Sequence, residues 1–335
     1  YLDSLRQERR TPQYQAEDQR MFFGLLPPSI SHEGYSAQPM HSYWDDFFAL
    51  RGFADAAFLA GELGRTADQT HLAAVHAEFE RELGESITAA MRYHGIDYIP
   101  GCADLGDFDA TSTTIALAPV GAEAALPPQA LRRTFEKYWD FFRARTDGEP
   151  WDAFTPYEIR TIGACVRLGW RERAGELLDW FLSQQRPAGW RQWPEVVWRD
   201  ARAPHFLGDL PHTWVGSDYV RSVLDMLAYE RGDTLVVAAG VPPEWLEGTG
   251  LEVRGLRTSL GPLSYTMQAK DASIRVNIES GLRVPAAGIV IRPPLPGALR
   301  AVTLDGAPAN TETDGQIVVR RLPAALVIQT GAQSP

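Results

Sequence analysis

The chain has 335 residues, 44% of them hydrophobic and 22% charged, proportions of a globular protein long enough for two domains with large buried cores. Its net charge of −11 argues against a nucleic-acid backbone or an anionic membrane surface as the main partner, because both need a positive field. No apolar run approaches the roughly 18 residues of a membrane span, and the two cysteines, Cys102 and Cys165, cannot form a disulfide framework. No His/Cys cluster has metal-ligand spacing, so neither a metal nor another cofactor is expected.

Residues 1–20 are polar with a short helical stretch interrupted at Thr11-Pro12, and residues 24–41, rich in Gly and Pro, read as a loop. A helical period then begins at Ser42, with Phe47, Leu50, Ala54, Ala57 and Phe58 three and four residues apart up to about Leu63, where Gly64 ends it. A second helix is predicted over 67–91. A Gly- and Asp-rich loop over 101–109 leads to a short apolar helix at 111–118 and a more charged one at 128–145. The loop at 148–155 leads to helices at 156–168 and 171–184, and the longest loop, 186–211, to a last helix at 213–230.

The pattern is a loop with acids and aromatics, an apolar helix, a turn and a polar helix, three times over with one unpaired helix at the end. Helical hairpins in this order build an (α/α)6 toroid, in which inner helices line an axis and long loops gather at one end. A closed toroid needs about five more helices than these seven, which implies an upstream N-terminal segment or domain, or a second polypeptide, to complete it. After Gly232 the period changes to two. Eight short strands, at 234–238, 251–256, 263–268, 273–278, 288–292, 301–304, 316–320 and 325–329, predict an antiparallel β-sandwich. The expected organisation is α+β, with a helical domain over 1–232 and a sandwich over 233–335.

Ten tryptophans stand out, many close to an acid or a Gly/Pro turn. Indole faces stack on the C–H faces of sugars and carboxylates bind their hydroxyls, so the pairing suits a carbohydrate pocket, although Trp also fills cores. Hydrolysis of a glycosidic bond by inversion needs two carboxyls roughly 6.5–9.5 Å apart, one acid and one base. Each predicted inner helix starts near an acid. The first offers Asp45 and Asp46 after Trp44; Ser42-x-x-Asp45 also fits a capping box that would leave Asp46 free. The second offers Asp104, Asp107 and Asp109, which could equally make a turn and an N-cap. The third is Glu158, where Thr155-Pro156-Tyr157-Glu158 again has capping-box spacing.

Glu195 lies instead in a loop, in Gly189-Trp190-Arg191-Gln192-Trp193-Pro194-Glu195, where capping does not explain it. It is the strongest candidate for a base, the alternative being an ion pair with Arg191 or Arg199. His212, before Thr213-Trp214, is placed to bind a sugar hydroxyl or to serve the fold.

Tyr43-Trp44-Asp45-Asp46-Phe47-Phe48-Ala49-Leu50-Arg51-Gly52 resembles the Tyr-Trp-Asp segment of trehalases and processing glucosidases, and its Trp-Asp-Asp resembles the Trp-Glu-Glu of glucoamylases. Trp193-Pro194-Glu195 followed by His212-Thr213-Trp214 is similar to the base loop and last inner helix of that clan. The segment from Leu235 through Val241-Pro242-Pro243-Glu244-Trp245, with Gly261-Pro262-Leu263-Ser264-Tyr265, is similar to the C-terminal sandwich of bacterial rhamnosidases and related toroid enzymes. The resemblance implies an inverting glycoside hydrolase with Glu195 as base. The acid is Asp45, with Asp46 beside it, by the glucoamylase pattern, or Asp107 or Asp109 by the trehalase pattern. Trp44, Trp190, Trp193 and Trp214 would wall the sugar site, with Asp107, Asp109, Glu158 and His212 on its hydroxyls. The rivals are a polysaccharide lyase with a Tyr/His base and cationic neutralisers among Arg51, Arg160 and Arg191, a phosphorylase, and a non-catalytic glycan-binding protein.

Overall fold

The computed structural model describes residues 1–30, 35, 37–200, 202, 210–295, 298–311 and 316–331. Its contacts divide the chain into two compact units, residues 1–154 with 198–205 and residues 155–197 with 206–335.

The first unit is helical. A short α1 (Leu2–Gln7) precedes α2 (Tyr43–Glu62) and α3 (Thr66–His94), which pack as a hairpin. The contact is made by the three- and four-residue spacing of Phe47, Leu50 and Phe53 on α2 and of Val75, Phe79, Leu83 and Ile87 on α3, all buried. Each such side chain taken from water contributes about 1.5–3 kcal/mol. Gly95, at φ 65, ends α3 in the left-handed conformation. α4 (Ala110–Ile115) is shorter than its apolar pattern predicts, because Ala118, at φ −149, leaves helical backbone before Pro119. α5 (Pro128–Thr146) begins with Pro at its first position, where the missing N–H costs nothing.

α1 is held to α3 by charge. The fully buried Arg6 donates from Nη2 to Glu82 Oε2 at 2.7 Å and from Nε to the Gly24 carbonyl at 3.0 Å, and its guanidinium lies 4.1 Å from the Phe79 ring centroid. Arg10 donates from Nη2 to Glu78 at 2.7 Å and stands in ion-pair range of Glu82, at 3.2 Å. Gly24 is required at its place: its φ is +73, and a Cβ there would stand 2.2 Å from Glu82 Oε2.

In the second unit a 3₁₀ turn, Pro156–Ile159, runs into α6 (Arg160–Arg167), which packs against both α7 (Arg171–Ser183) and α8 (Thr213–Leu227). Every residue from Arg160 to Val166 is buried, as befits a helix enclosed by its neighbours. Two two-residue strands, β1 (Ala153–Phe154) and β2 (Val197–Trp198), occur within the loops. α8 stops three residues before its predicted end. Ala228 is extended at φ −164, and β3 (Ala228–Arg231) pairs with β4 (Thr234–Val237), the backbone ladder replacing a last helical turn.

The remaining strands are β5 (Leu251–Thr258), β6 (Gly261–Lys270), β7 (Ser273–Ile278), β8 (Gly288–Ile291), β9 (Leu299–Leu304), β10 (Ala307–Ala309), β11 (Ile317–Val319) and β12 (Ala324–Thr330). They form a six-stranded sheet in the order β10-β9-β12-β7-β6-β5 and a four-stranded sheet in the order β11-β8-β4-β3. Alternation decides which side chains are buried: Ile274, Val276 and Ile278 face inward while Arg275 and Asn277 are exposed. One core takes Leu235, Val237, Ile289 and Ile291 from the smaller sheet and Leu263, Tyr265, Val276, Leu326 and Ile328 from the larger. The sandwich departs from the expected all-antiparallel pattern in one pairing, β4 with β8, which is parallel. Both strands are buried on nearly every residue, the setting in which parallel pairs occur.

Candidate active site

The predicted site residues fall into two clusters, one in each unit. In the first, the loop at 101–109 lies against the start of α2. The Tyr43 N–H donates to the Gly101 carbonyl at 3.1 Å, and Ser42 bridges Cys102. Asp45, Asp46, Asp104, Asp107 and Asp109 are thereby gathered around one helix start. Gly101 permits this approach, since a Cβ would meet the Tyr35 hydroxyl at 2.5 Å and Asp109 Cβ at 2.9 Å.

Most of these carboxyls are used by the fold. Asp109 is the N-cap of α4: it accepts from the N–H groups of Thr111 (3.0 Å) and Ser112 (3.1 Å) and from both their hydroxyls. Asp107 accepts the Tyr35 hydroxyl at 2.7 Å and the Cys102 N–H at 3.1 Å, which fixes the loop. Burial and the adjacent Asp107 push the Cys102 thiol up to about 12, so this buried cysteine stays protonated. Asp104 accepts the His41 N–H at 2.6 Å and lies 3.1 Å from His41 Nδ1, while Arg9 Nε donates to His41 Nε2 at 3.3 Å. Burial opposes ionisation of Asp104, but its bonds from His41 outweigh it and hold the carboxyl below its ordinary range.

Asp45 and Asp46 have exchanged the roles their spacing suggests. Ser42 occupies the N-cap position without a side-chain capping bond, and Asp45, half-buried, accepts the Ser29 hydroxyl. Asp46, the acid expected to be free, is 1% exposed and accepts the Leu26 N–H at 2.9 Å. Burial pushes Asp46 up to about 8, which the Leu26 bond only partly offsets. Of the two, Asp45 is the carboxyl open to solvent. Trp44, expected as a sugar wall, is a core residue, 4% exposed and edge-on to Phe48 at 5.0 Å.

The second cluster surrounds the start of α8. His212 takes the N-cap position with no side-chain capping bond, and its Nε2 stands 2.7 Å from the Tyr157 hydroxyl. Trp214 and His212 each meet the Tyr157 ring edge-on, at 5.7 and 5.5 Å. Glu158, next to Tyr157, is buried in the 3₁₀ turn begun by Thr155, whose hydroxyl accepts the Tyr157 N–H at 3.4 Å. Beneath lies Arg160, over the rings of Tyr157 (4.5 Å) and Trp214 (5.5 Å), with Nε donating to Asp218 at 2.6 Å. Arg221 completes the group with a 2.8 Å bond to Asp218, whose carboxyl burial raises against the pull of both arginines. Of Tyr157, Arg160 and Asp218, sequence reasoning names only Arg160, as a cation for a lyase; it misses the group, because Arg160 and Asp218 are 58 residues apart and only the packing of α6 on α8 joins them.

The Glu195 loop is tied to the same place. Trp193 is 3% exposed, its indole N–H donates to the Phe181 carbonyl at 3.1 Å, and its ring lies 5.0 Å from Tyr219, so it anchors the loop and is not a free stacking wall. Its carbonyl accepts the His212 N–H at 3.1 Å. Trp190, 63% exposed, keeps an open indole face. Glu195 itself is half-buried, and among the described residues its carboxylate accepts no hydrogen bond and meets no cation, so the expected alternative, a pair with Arg191 or Arg199, is not formed there. Among the described residues no group of three or more His, Cys, Asp or Glu is placed to hold a metal ion.

No protein-family model and no curated protein matches the chain. Among solved structures it is similar to an alpha-L-rhamnosidase from Dictyoglumus thermophilum, with a TM-score of 0.51 and 12% sequence identity. The match covers 85% of this chain and 32% of the other, so the chain spans about a third of that protein's length. At this identity the likeness is one of fold, helices followed by β-sheets.

Proposed function

We propose that the protein is a glycoside hydrolase acting by inversion, with Glu195 as the general base, and that its helical hairpins belong to an (α/α)6 toroid. The observation that carries this reading is the state of Glu195. A partly shielded carboxylate without a partner among the described residues, in a loop pinned by Trp193 to Phe181 on one side and to His212 on the other, suits a base that must receive and deprotonate a water. The fold likeness to a rhamnosidase supports it. Around this base, Trp190 offers a stacking face, and Trp214, Glu158 and the His212–Tyr157 pair offer groups for a sugar ring and its hydroxyls.

A polysaccharide lyase is the second reading, favoured by the 2.7 Å contact between Tyr157 and His212 with Arg160 beside it. A lyase needs a cation free to neutralise a uronate carboxylate. The Arg160 side chain is 0% exposed and committed to Asp218, and Arg51 is taken by Asp55 and the Pro119 carbonyl, which leaves Arg191, exposed in the Glu195 loop, as the cation this reading would use.

The test is a panel of aryl glycosides, α-L-rhamnoside first, and neutral and uronate-containing oligosaccharides, incubated with the full-length protein. Hydrolytic release from a neutral glycoside is expected. Ultraviolet absorbance from an unsaturated uronate would establish the lyase instead, phosphate-dependent cleavage a phosphorylase, and binding without cleavage a glycan-binding protein.

A further inference from the structure

A pocket of about 280 Å³ opens in the second unit, away from the Glu195 loop in sequence, lined by Gly169, Arg171, Ile291, Arg292, Pro293 and Gln316 among others. Two guanidiniums share its wall, and among the described residues no carboxylate pairs with either. Arg171, the first residue of α7, spends Nη2 on the carbonyls of Arg292 (2.6 Å) and Ala238 (3.3 Å), which fix its plane without neutralising its charge. Arg292 follows β8, and its N–H donates to the Val237 carbonyl at 2.9 Å, so its backbone is fixed as well.

The Nε atoms of both arginines are buried, and among the described residues neither atom has a hydrogen-bond partner and neither side chain pairs with an acid. Burial weakens the hold of Arg171 on its proton; Glu172 opposes this and Arg292 adds to it. Two like charges drawn from water near each other are unfavourable unless an anion joins them. The setting adds further attraction for one. Trp170 caps α7 without a side-chain bond, leaving the positive end of the helix open beside Arg171. Gly169, at φ +79, puts no side chain there; one would start 3.9 Å from Arg292 Nη1.

We propose that this pocket is a binding site for a small oxyanion, a phosphate or carboxylate group held between Arg171 and Arg292. Planar guanidiniums with free N–H donors are the usual recognition elements for both groups, and the volume suits a single anionic group with a small body but not an oligosaccharide. The apolar side of the pocket, Ile291 and Pro293, would take that body.

The test uses the full-length protein, titrated with inorganic phosphate and separately with acetate, against sodium chloride at matched ionic strength, read by thermal melting and isothermal calorimetry. A saturable rise in melting temperature beyond chloride is expected with at least one anion, and saturation in Arg292→Gln should need at least about tenfold more of it. Arg292 is the residue to change because its side chain makes no hydrogen bond among the described residues, so the variant should fold. A response to phosphate alone assigns the ligand as a phosphate group, and one to acetate alone as a carboxylate. If neither anion exceeds chloride, or if Arg292→Gln saturates at the same concentration as the unaltered protein, the proposal fails.

Discussion

At the scale of single residues, most of the candidate carboxyls at the helix starts have a place in the fold. Asp109, Asp107, Asp104 and Asp46 each accept defined donors, and each donor explains why an acid stands where it does. The sequence could name all of them as candidates, because acids at helix starts are legible as a pattern. It could not rank them, because what decides is a partner distant in the chain: Leu26 for Asp46, Ser29 for Asp45, Tyr35 for Asp107. Glu195 is singled out by the opposite feature, a loop position that removes the capping alternative, and its role remains a proposal. Asp46 also makes a pH prediction. Its folded value of about 8 lies above its unfolded one near 3.8, so the folded state holds the extra proton between them. The stability it confers is complete below about pH 4 and is lost as pH rises toward 8, by up to about 1.4 kcal/mol per pH unit. Asp104, lowered, acts in the other direction and only in more acidic solution. Urea denaturation from pH 4 to pH 8 should therefore show a fall in stability that Asp46→Asn flattens; an unchanged slope in the variant would assign the titration elsewhere.

At the scale of elements, periodicity located α2, α3, α5, α7 and α8 and eight of the strands from β4 onward, since their apolar residues recur with regular spacing. It missed what tertiary pairing decides. The end of α8 becomes β3 because β4 is there to pair with it, and the parallel β4–β8 contact cannot be seen in either strand alone. The clamp of α1 on α3 is another such feature. Arg6→Ala should cost about 3 kcal/mol in urea denaturation, the low end for opening a buried ion pair, because Arg10 still reaches Glu82 at 3.2 Å. A loss under 1 kcal/mol would mean that α1 is not bound through this pair. Within the second unit, Gly240 lies against α6 and the end of α8, where a Cβ would meet Val166 Cγ2 at 2.6 Å and Met226 Cα at 2.8 Å. Gly240→Ala is expected to lower stability by about 1–3 kcal/mol through overpacking, and a variant as stable as the parent would contradict that close approach.

At the scale of the molecule, sequence and structure agree on helices followed by a two-sheet sandwich, and the likeness to a rhamnosidase extends over most of the chain. The compact units do not follow the change from helix to strand: α6, α7 and α8 belong with the sandwich, and α1 to α5 form the other unit. Composition could not reveal this, since it depends on which helices share contacts and not on what they contain. The functional reading rests on the second unit, where Glu195, without a partner among the described residues, stands on a loop anchored to the start of α8. The measurement that tests it most directly follows the anomer of the first sugar released, by proton magnetic resonance, for the full-length protein and its Glu195→Gln variant. The account predicts release of the inverted anomer and a fall in turnover of about 10²–10⁴-fold in the variant, with the same melting temperature. Release of the retained anomer, or turnover unchanged by the substitution, would contradict it.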